Sequence, residues 1–351
     1  MKQSRRYHSS TDVARLAGVS QSAVSRAFSE GKSISEETSR KVFAAAKKLG
    51  YSPNILPRIL LKHRSGLVAV VTSGTSNPFY AMALEEFTKA LQKTGHQVLL
   101  VQIDGDHALD GVVPKLQSYR VDAIVSALPV LSAAAAEAFA RIRIPTISFN
   151  TPVNNDWVAS VCSDSVSGAS AVADLFVKRG ARSFAFVTGS YGSYASSERL
   201  RGFKNRLRKH GFSTISMAGG NYLYSGGFDA MLELKERGPM PEAIFCANDL
   251  MAIGALDALR RSLGLRVPED VLVAGFDDVP EASWRAYNLT TVVQDGRLMV
   301  AEAMTVLESM MSSSSSAGGT LRVVPAKLVE RSTTLRAALG ENHAPVAPAK
   351  K

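Results

Sequence analysis

The chain has 351 residues, 46% of them hydrophobic, and a formal net charge of +10. That length fits two or three folding units with a sizeable core, and no apolar run approaches the ~20 residues of a membrane span. Two distant cysteines, Cys162 and Cys246, make neither a disulfide framework nor a zinc pattern. The basic N-terminus has no apolar stretch behind it, so no secretion signal is read and a reducing cytoplasm is the expected location.

The charge is unevenly spread. Residues 1–64 hold 13 Lys or Arg against 4 Asp or Glu, and the other 287 residues hold 28 against 27. Nine of the ten net charges therefore sit in the first fifth of the chain, the footprint of phosphate binding.

The segment STDVARLAGVSQSAVSRAFSEG predicts two short helices. Ser10 or Thr11 is the expected cap of the first, with Asp12 at its positive end. Gly18-Val19-Ser20 makes the turn, and Ser20 caps the second helix, Gln21 to Phe28. Its polar face carries Gln21, Ser22, Ser25 and Arg26. A third helix, from about Glu36 to Leu49, has Ser35 as cap, Gly50 as stop and a stripe of Val42, Ala45, Ala46 and Leu49. Two short helices around a three-residue turn, backed by a third, form a helix-turn-helix unit. Its second helix enters the major groove, where Gln can read adenine and Arg guanine.

DVARLAGVSQSAVSRAF followed by SISEETSRKVFAAAKKLGYSPN resembles the headpiece of the LacI/GalR repressor family nearly residue for residue. The resemblance implies that Gln21, Ser22 and Arg26 face bases. It places Thr11, Ser20, Ser25, Ser35, Thr38, Tyr51 and Asn54 near the phosphate backbone. It further implies a hinge after residue 52 that folds in the minor groove of cognate DNA and inserts a leucine, by position Leu60, between central base pairs. The chain departs from the family pattern at Pro57, where an alanine is usual. With Asn54 as cap, Pro57 is the third helical residue, within the first turn where N–H groups lack intrahelical partners.

From Gly66 the texture changes. LVAVVT, HQVLLVQI, DAIVSAL, IPTISFN, VASVCSD, SFAFVTG, EAIFCAN and VLVAGFDD read as short strands alternating with segments of helical length. Such alternation predicts parallel sheets covered by helices, here as two Rossmann-like lobes with a ligand crevice at the strand carboxyl ends. This half is similar to the periplasmic-binding-protein fold. The fold class expected is thus α/β, an all-α headpiece followed by two such lobes. The expected domains are 1–52 (DNA-binding), 53–65 (hinge) and 66–333 (effector-binding). Within the last, the N-lobe comprises 66–163 and 291–320, and the C-lobe 164–290 and 321–333. The run SSSSSAGG reads as a flexible loop and 334–351 as a disordered tail.

In the family the loop after the first strand lines the crevice, which here implies Phe79 and Tyr80. Asp164 ends a strand and can also cap the next helix. Arg199 matches the family arginine that grips ligand oxygens, and a forked guanidinium suits that task. Asn248 is expected at the ligand and Asp249 as a brace; Asp277 matches the hydroxyl-binding carboxylate. Tyr222 and Trp284 take places where the family puts an aromatic wall, and Gln294 lies at a crossover. Carboxylate, Arg and Asn around flat rings form a carbohydrate-binding chemistry.

No HExxH, P-loop or GxSxG is present, the six histidines are scattered, and no catalytic residue, metal or cofactor is expected. The expected protein is a nucleoid-associated homodimeric transcriptional regulator, a repressor by family habit. Its partners would be pseudo-palindromic double-stranded operator DNA and a carbohydrate-like effector, without a membrane. A transport-type solute-binding protein would share residues 66–333, but would need an export signal and no headpiece. An enzyme of sugar metabolism would turn its ligand over.

Overall fold

The computed structural model describes residues 8–28, 33–52, 64–73, 76–103, 109–128, 133–312 and 319–335. Asn54, Pro57 and Leu60, the serine run from 313 and the tail from 336 lie outside the described residues. The chain divides into two compact units, Met1–Ser65 and Gly66–Lys351.

The first unit holds α1 (Ser10–Ala17), α2 (Gln21–Ala27) and α3 (Glu36–Leu49). The cap of α1 is Ser9, one residue before the expected pair. Asp12 stands three residues on, and its carboxylate accepts from the Ser9 backbone N–H at 2.9 Å while the Ser9 hydroxyl accepts from Asp12 N–H. That reciprocal box satisfies two otherwise orphaned donors. Ser20 and Ser35 cap α2 and α3 as expected. Gly18 adopts φ 66° at the end of α1, a left-handed turn that glycine makes without steric cost. Val13, Ala14, Val24, Val42, Ala45 and Ala46 form the core, with Val19, Phe28, Leu49 and Tyr51 against it.

The second unit begins with β1 (Leu67–Thr72), α4 (Pro78–Lys93), β2 (Gln97–Gln102), α5 (Leu109–Ser118), β3 (Ala123–Ala127), α6 (Ala133–Arg141), β4 (Thr146–Phe149) and β5 (Val158–Ser163). It continues with α7 (Ser165–Lys178), β6 (Phe184–Thr188), α8 (Tyr194–Lys209), β7 (Ser216–Gly219), α9 (Tyr224–Glu236), β8 (Ala243–Cys246), α10 (Asp249–Asp257) and β9 (Leu272–Ala274). The end comprises β10 (Thr291–Gln294), α11 (Gly296–Ser312), β11 (Leu321–Val324) and β12 (Ala326–Val329). One sheet has the order β11-β5-β4-β3-β1-β2, the other β7-β6-β8-β9, and every pairing within them is parallel. These are the two lobes. β7 was not foreseen: it is a four-residue edge strand, SMAG, with one buried side chain and no apolar run.

Assigning 321–333 to the C-lobe needs correction. β11 pairs with β5, Leu321 beside Ser160, and so extends the N-lobe sheet. The chain returns to the C-lobe only through β12, which pairs antiparallel with β10 as a two-stranded crossover ribbon. Gly168 in α7 lets the ribbon close in, since a Cβ there would lie 2.7 Å from Val292 Cγ1. Interlocked rings fill the C-lobe core: Phe203 meets Phe176, Phe184, Phe186 and Phe245 at centroid distances of 5.2–6.4 Å. Burial of each such side chain contributes about 1.5–3 kcal/mol.

Candidate functional sites: a helix-turn-helix face and an interlobe cavity

In the first unit, α2 buries Ala23 and Val24 and leaves Gln21, Ser22, Ser25 and Arg26 exposed. Thr11, Ser20 and Ser35 are also exposed, while Thr38 and Tyr51 are half-buried. Several of these groups hold one another. Gln21 Nε2 donates to Ser10 Oγ at 2.9 Å, the hydroxyls of Ser20 and Ser22 lie 2.9 Å apart, and those of Ser35 and Thr38 lie 2.8 Å apart. Tyr51 meets Phe28 edge-on at 5.8 Å. Ser20 and Ser35 stand at helix N-termini, whose N–H groups and positive dipole end suit a phosphate.

In the second unit a cavity of about 190 Å³ opens between the lobes at the strand carboxyl ends. The N-lobe contributes Ser73, Ser76, Asn77, Phe79, Tyr80 and Asn150. The C-lobe contributes Ser190, Ala195, Arg199, Asn221, Tyr222, Leu223 and Asp277, and Gln294 reaches in from the crossover.

Asp277 is the centre of the polar wall. One carboxylate oxygen accepts from Gln294 Nε2 at 2.6 Å and lies 3.6 Å from the Arg199 guanidinium. The other accepts from Asn77 Nδ2 at 3.4 Å. Gln294 in turn accepts from Asn150 Nδ2 at 3.1 Å. One carboxylate therefore gathers donors from both lobes and the crossover. Arg199 is 3% exposed, stacks 3.7 Å over the Phe276 ring and donates to the Ala247 carbonyl. Its Nε–H has no acceptor among the described residues.

Behind the wall, Asp249 is fully buried and accepts from the Thr291 hydroxyl at 2.5 Å and from Val279 N–H at 2.9 Å. Burial raises the Asp249 carboxyl well above the ordinary range, and the nearby Asp277 adds to the rise. Burial raises Asp277 too, opposed by Arg199, Gln294 and Asn77. The phenols of Tyr80 and Tyr222 are also raised by burial, which keeps them neutral donors. Four lining residues have left-handed backbone: Asn150 (φ 65°), Asn221 (52°), Tyr222 (63°) and Asp277 (126°). Such conformations cost roughly 1–3 kcal/mol each and gather where a binding site requires them.

The description "Bacterial regulatory proteins, lacI family" matches residues 11–54, and "Periplasmic binding protein-like domain" matches 173–334. The ribose operon repressor of Escherichia coli K12 is 30% identical over 288 residues, covering 81% of this chain and 87% of that one. The chain belongs to the LacI family. The Lac repressor dimer bound to operator and the anti-inducer ONPF superposes with a TM-score of 0.85 at 27% identity, over 94% of this chain and all of that one. The transcriptional regulator CelR–cellobiose complex gives 0.69 at 28%, over 93% and 99%.

This LacI-family chain is a DNA-binding transcriptional regulator with an effector domain. Six of the nine effector residues read from its sequence share the cavity wall: Phe79, Tyr80, Arg199, Tyr222, Asp277 and Gln294. The other three lie off it. Asp164 caps α7, accepting from Ser167 N–H at 3.0 Å. Asn248 caps α10 and donates to the Tyr222 carbonyl at 3.4 Å, so it braces the wall from behind. Trp284 is 54% exposed after a short 3-10 turn. Asn77, Asn150 and Asn221 line the cavity unforeseen. Asn77-Pro78 did carry a signal, an N-cap followed by proline in the first turn, and Asn150 stands one residue past β4 at the crevice end.

Proposed function

We propose that this regulator is a homodimeric repressor whose operator affinity is set by a neutral, carbohydrate-like effector held in the interlobe cavity. The observation that carries the reading is the Asp277 carboxylate, ringed by Arg199, Gln294 and Asn77 and faced by Tyr80 and Tyr222. Ligand hydroxyls would exchange with these donors, and the rings would cover apolar sugar faces. Phe79 and Gln294 belong to this set; Asn248 and Asp164 support it.

On DNA, Gln21, Ser22 and Arg26 read bases, and Thr11, Ser20, Ser25, Ser35, Thr38, Tyr51 and Asn54 hold phosphates. Leu60 wedges the central step. Two headpieces on one dimer would address half-sites about one helical turn (~34 Å) apart. Effector binding changes the angle between lobes, and a coupling of about 1–3 kcal/mol is enough to switch occupancy. The protein works in the cytoplasm on the nucleoid and is not an enzyme: it returns its ligand unchanged.

The test is selection of genomic fragments by full-length protein at physiological salt, followed by titration of neutral sugars against the recovered fragment. A pseudo-palindrome released by one sugar, recovered intact afterwards, is the expected result. Binding that no neutral sugar alters, but an acidic or nucleoside ligand does, would overturn the carbohydrate assignment.

A further inference from the structure

Because all six strands of the N-lobe sheet are parallel, everything that precedes a strand lies along one rim, opposite the cavity. The chain coming from the DNA-binding unit enters at that rim, at Gly66. The turns there share one backbone habit. Residues 66, 95, 120, 143 and 319, just before β1, β2, β3, β4 and β11, are all left-handed, with φ of 72°, 81°, 50°, 51° and 63°. Three are glycine, the residue this conformation favours, and two are arginine, Arg120 and Arg143.

The C-lobe offers a control within the same molecule. Its corresponding turns, before β6, β7, β8 and β9, contain the left-handed residues Gly180, Gly211, Gly238 and Gly264. Around Arg120 the hydrogen bonds match those at Gly211: the residue's N–H donates three residues back and the next N–H five residues back. Local structure asks for glycine at 120 and 143, and arginine stands there against that preference.

Both arginines are exposed, as are Lys93, Lys115 and Arg141 on the same rim, and none of the five has an ion-pair partner among the described residues. Glu137, Asp122 and Asp156 are the acids nearby, and Asp122 is engaged by Gly66 N–H at 2.7 Å. Arg141 and Arg143 border an open depression of about 710 Å³.

We propose that this rim is a second DNA-contacting face: Arg120 and Arg143, helped by Lys93, Lys115 and Arg141, bind backbone phosphates of the bound duplex. The contact goes beyond the headpiece and effector reading and rests only on the family's DNA binding. It carries no base information, because guanidinium groups on phosphates position a protein without specifying sequence.

The experiment replaces both arginines by the residue their backbone prefers. Full-length R120G/R143G is compared with the unaltered protein on a duplex carrying the genomic fragment that the latter binds most tightly, across a salt series. Each phosphate contact adds about −0.9 to the slope of log K against log salt. The expected slope is shallower by about 2 for one engaged subunit or about 4 for a dimer, with unchanged ranking of base substitutions in the fragment. The melting temperature should be equal or higher, since glycine relieves the turn. A slope that shifts by less than one unit overturns the proposal and leaves an acidic protein as the partner for this rim. So does an equal shift in the control K204Q/R208Q, which removes two exposed cations from α8 of the C-lobe. Failure of the carbohydrate reading would leave this slope untouched.

Discussion

The headpiece and the cavity use the same side chains in opposite media. Arg26 and Gln21 lie exposed on α2, whereas Arg199 and Gln294 are buried around Asp277. In water a lone arginine costs the fold nothing and can be spent on a partner. In the interior it must be matched, and removing one member strands the others. The difference teaches that function at an exposed headpiece side chain such as Arg26 is separable from stability, whereas in the cavity the two are joined.

The largest effect that could break this contrast is at Arg199. Arg199→Ala should destabilise the second unit by about 3–5 kcal/mol, because Asp277 loses its buried counter-charge. Both tryptophans, Trp157 and Trp284, belong to the second unit, so tryptophan fluorescence in urea follows that unit alone. A loss below ~1 kcal/mol would show that the cavity tolerates a missing charge as a surface does.

Next comes pH. The unfolded chain loses the Asp249 proton near the ordinary carboxyl range, and the folded chain holds it to higher pH. Stability should therefore fall as pH rises from about 4 through the raised pKa, by up to ~1.4 kcal/mol per pH unit. Asp249→Asn should flatten that fall, measured by the same fluorescence between pH 5 and pH 8; equal slopes would locate the dependence elsewhere.

Arg26→Ala should cost about 1–3 kcal/mol of discrimination at one base pair, seen by ranking operator variants. Its stability should stay within ~0.5 kcal/mol of the unaltered protein. The smallest change sharpens the comparison. Ser20→Ala should cost ~1 kcal/mol of headpiece stability, read by amide exchange in α2, because the cap is lost. The tryptophan signal should not move.

The same contrast explains what was legible in the sequence. The headpiece is built from short-range relations, such as Ser20 to Ala23 and Gly18 after Ala17, and these can be read off in order. Even the error at the first cap was one residue, decided by the partner Asp12 finds. Cavity residues at strand ends, such as Asp277, were legible because the parallel topology directs strand carboxyl ends toward the crevice, although Asp164 after β5 turns aside to cap α7. Asn221 was not, because Gly219-Gly220-Asn221 marks a turn without telling where its left-handed backbone aims the side chain. Asn248 was misplaced for the converse reason: a good cap uses its amide locally. β11 was misplaced because an edge strand of the N-lobe and a strand of the C-lobe read alike until pairing is known.

The crossover ribbon has a mechanical consequence. β10 and β12 are held edge to edge through four paired positions, from Thr291 with Val329 to Gln294 with Ala326. Two unpaired tethers would let the lobes splay, slide or swivel. A hydrogen-bonded strap resists all but bending and twisting about its own length, as a leaf spring does. Ligands of different shape would then set how far the lobes swing, and the strap would set the axis.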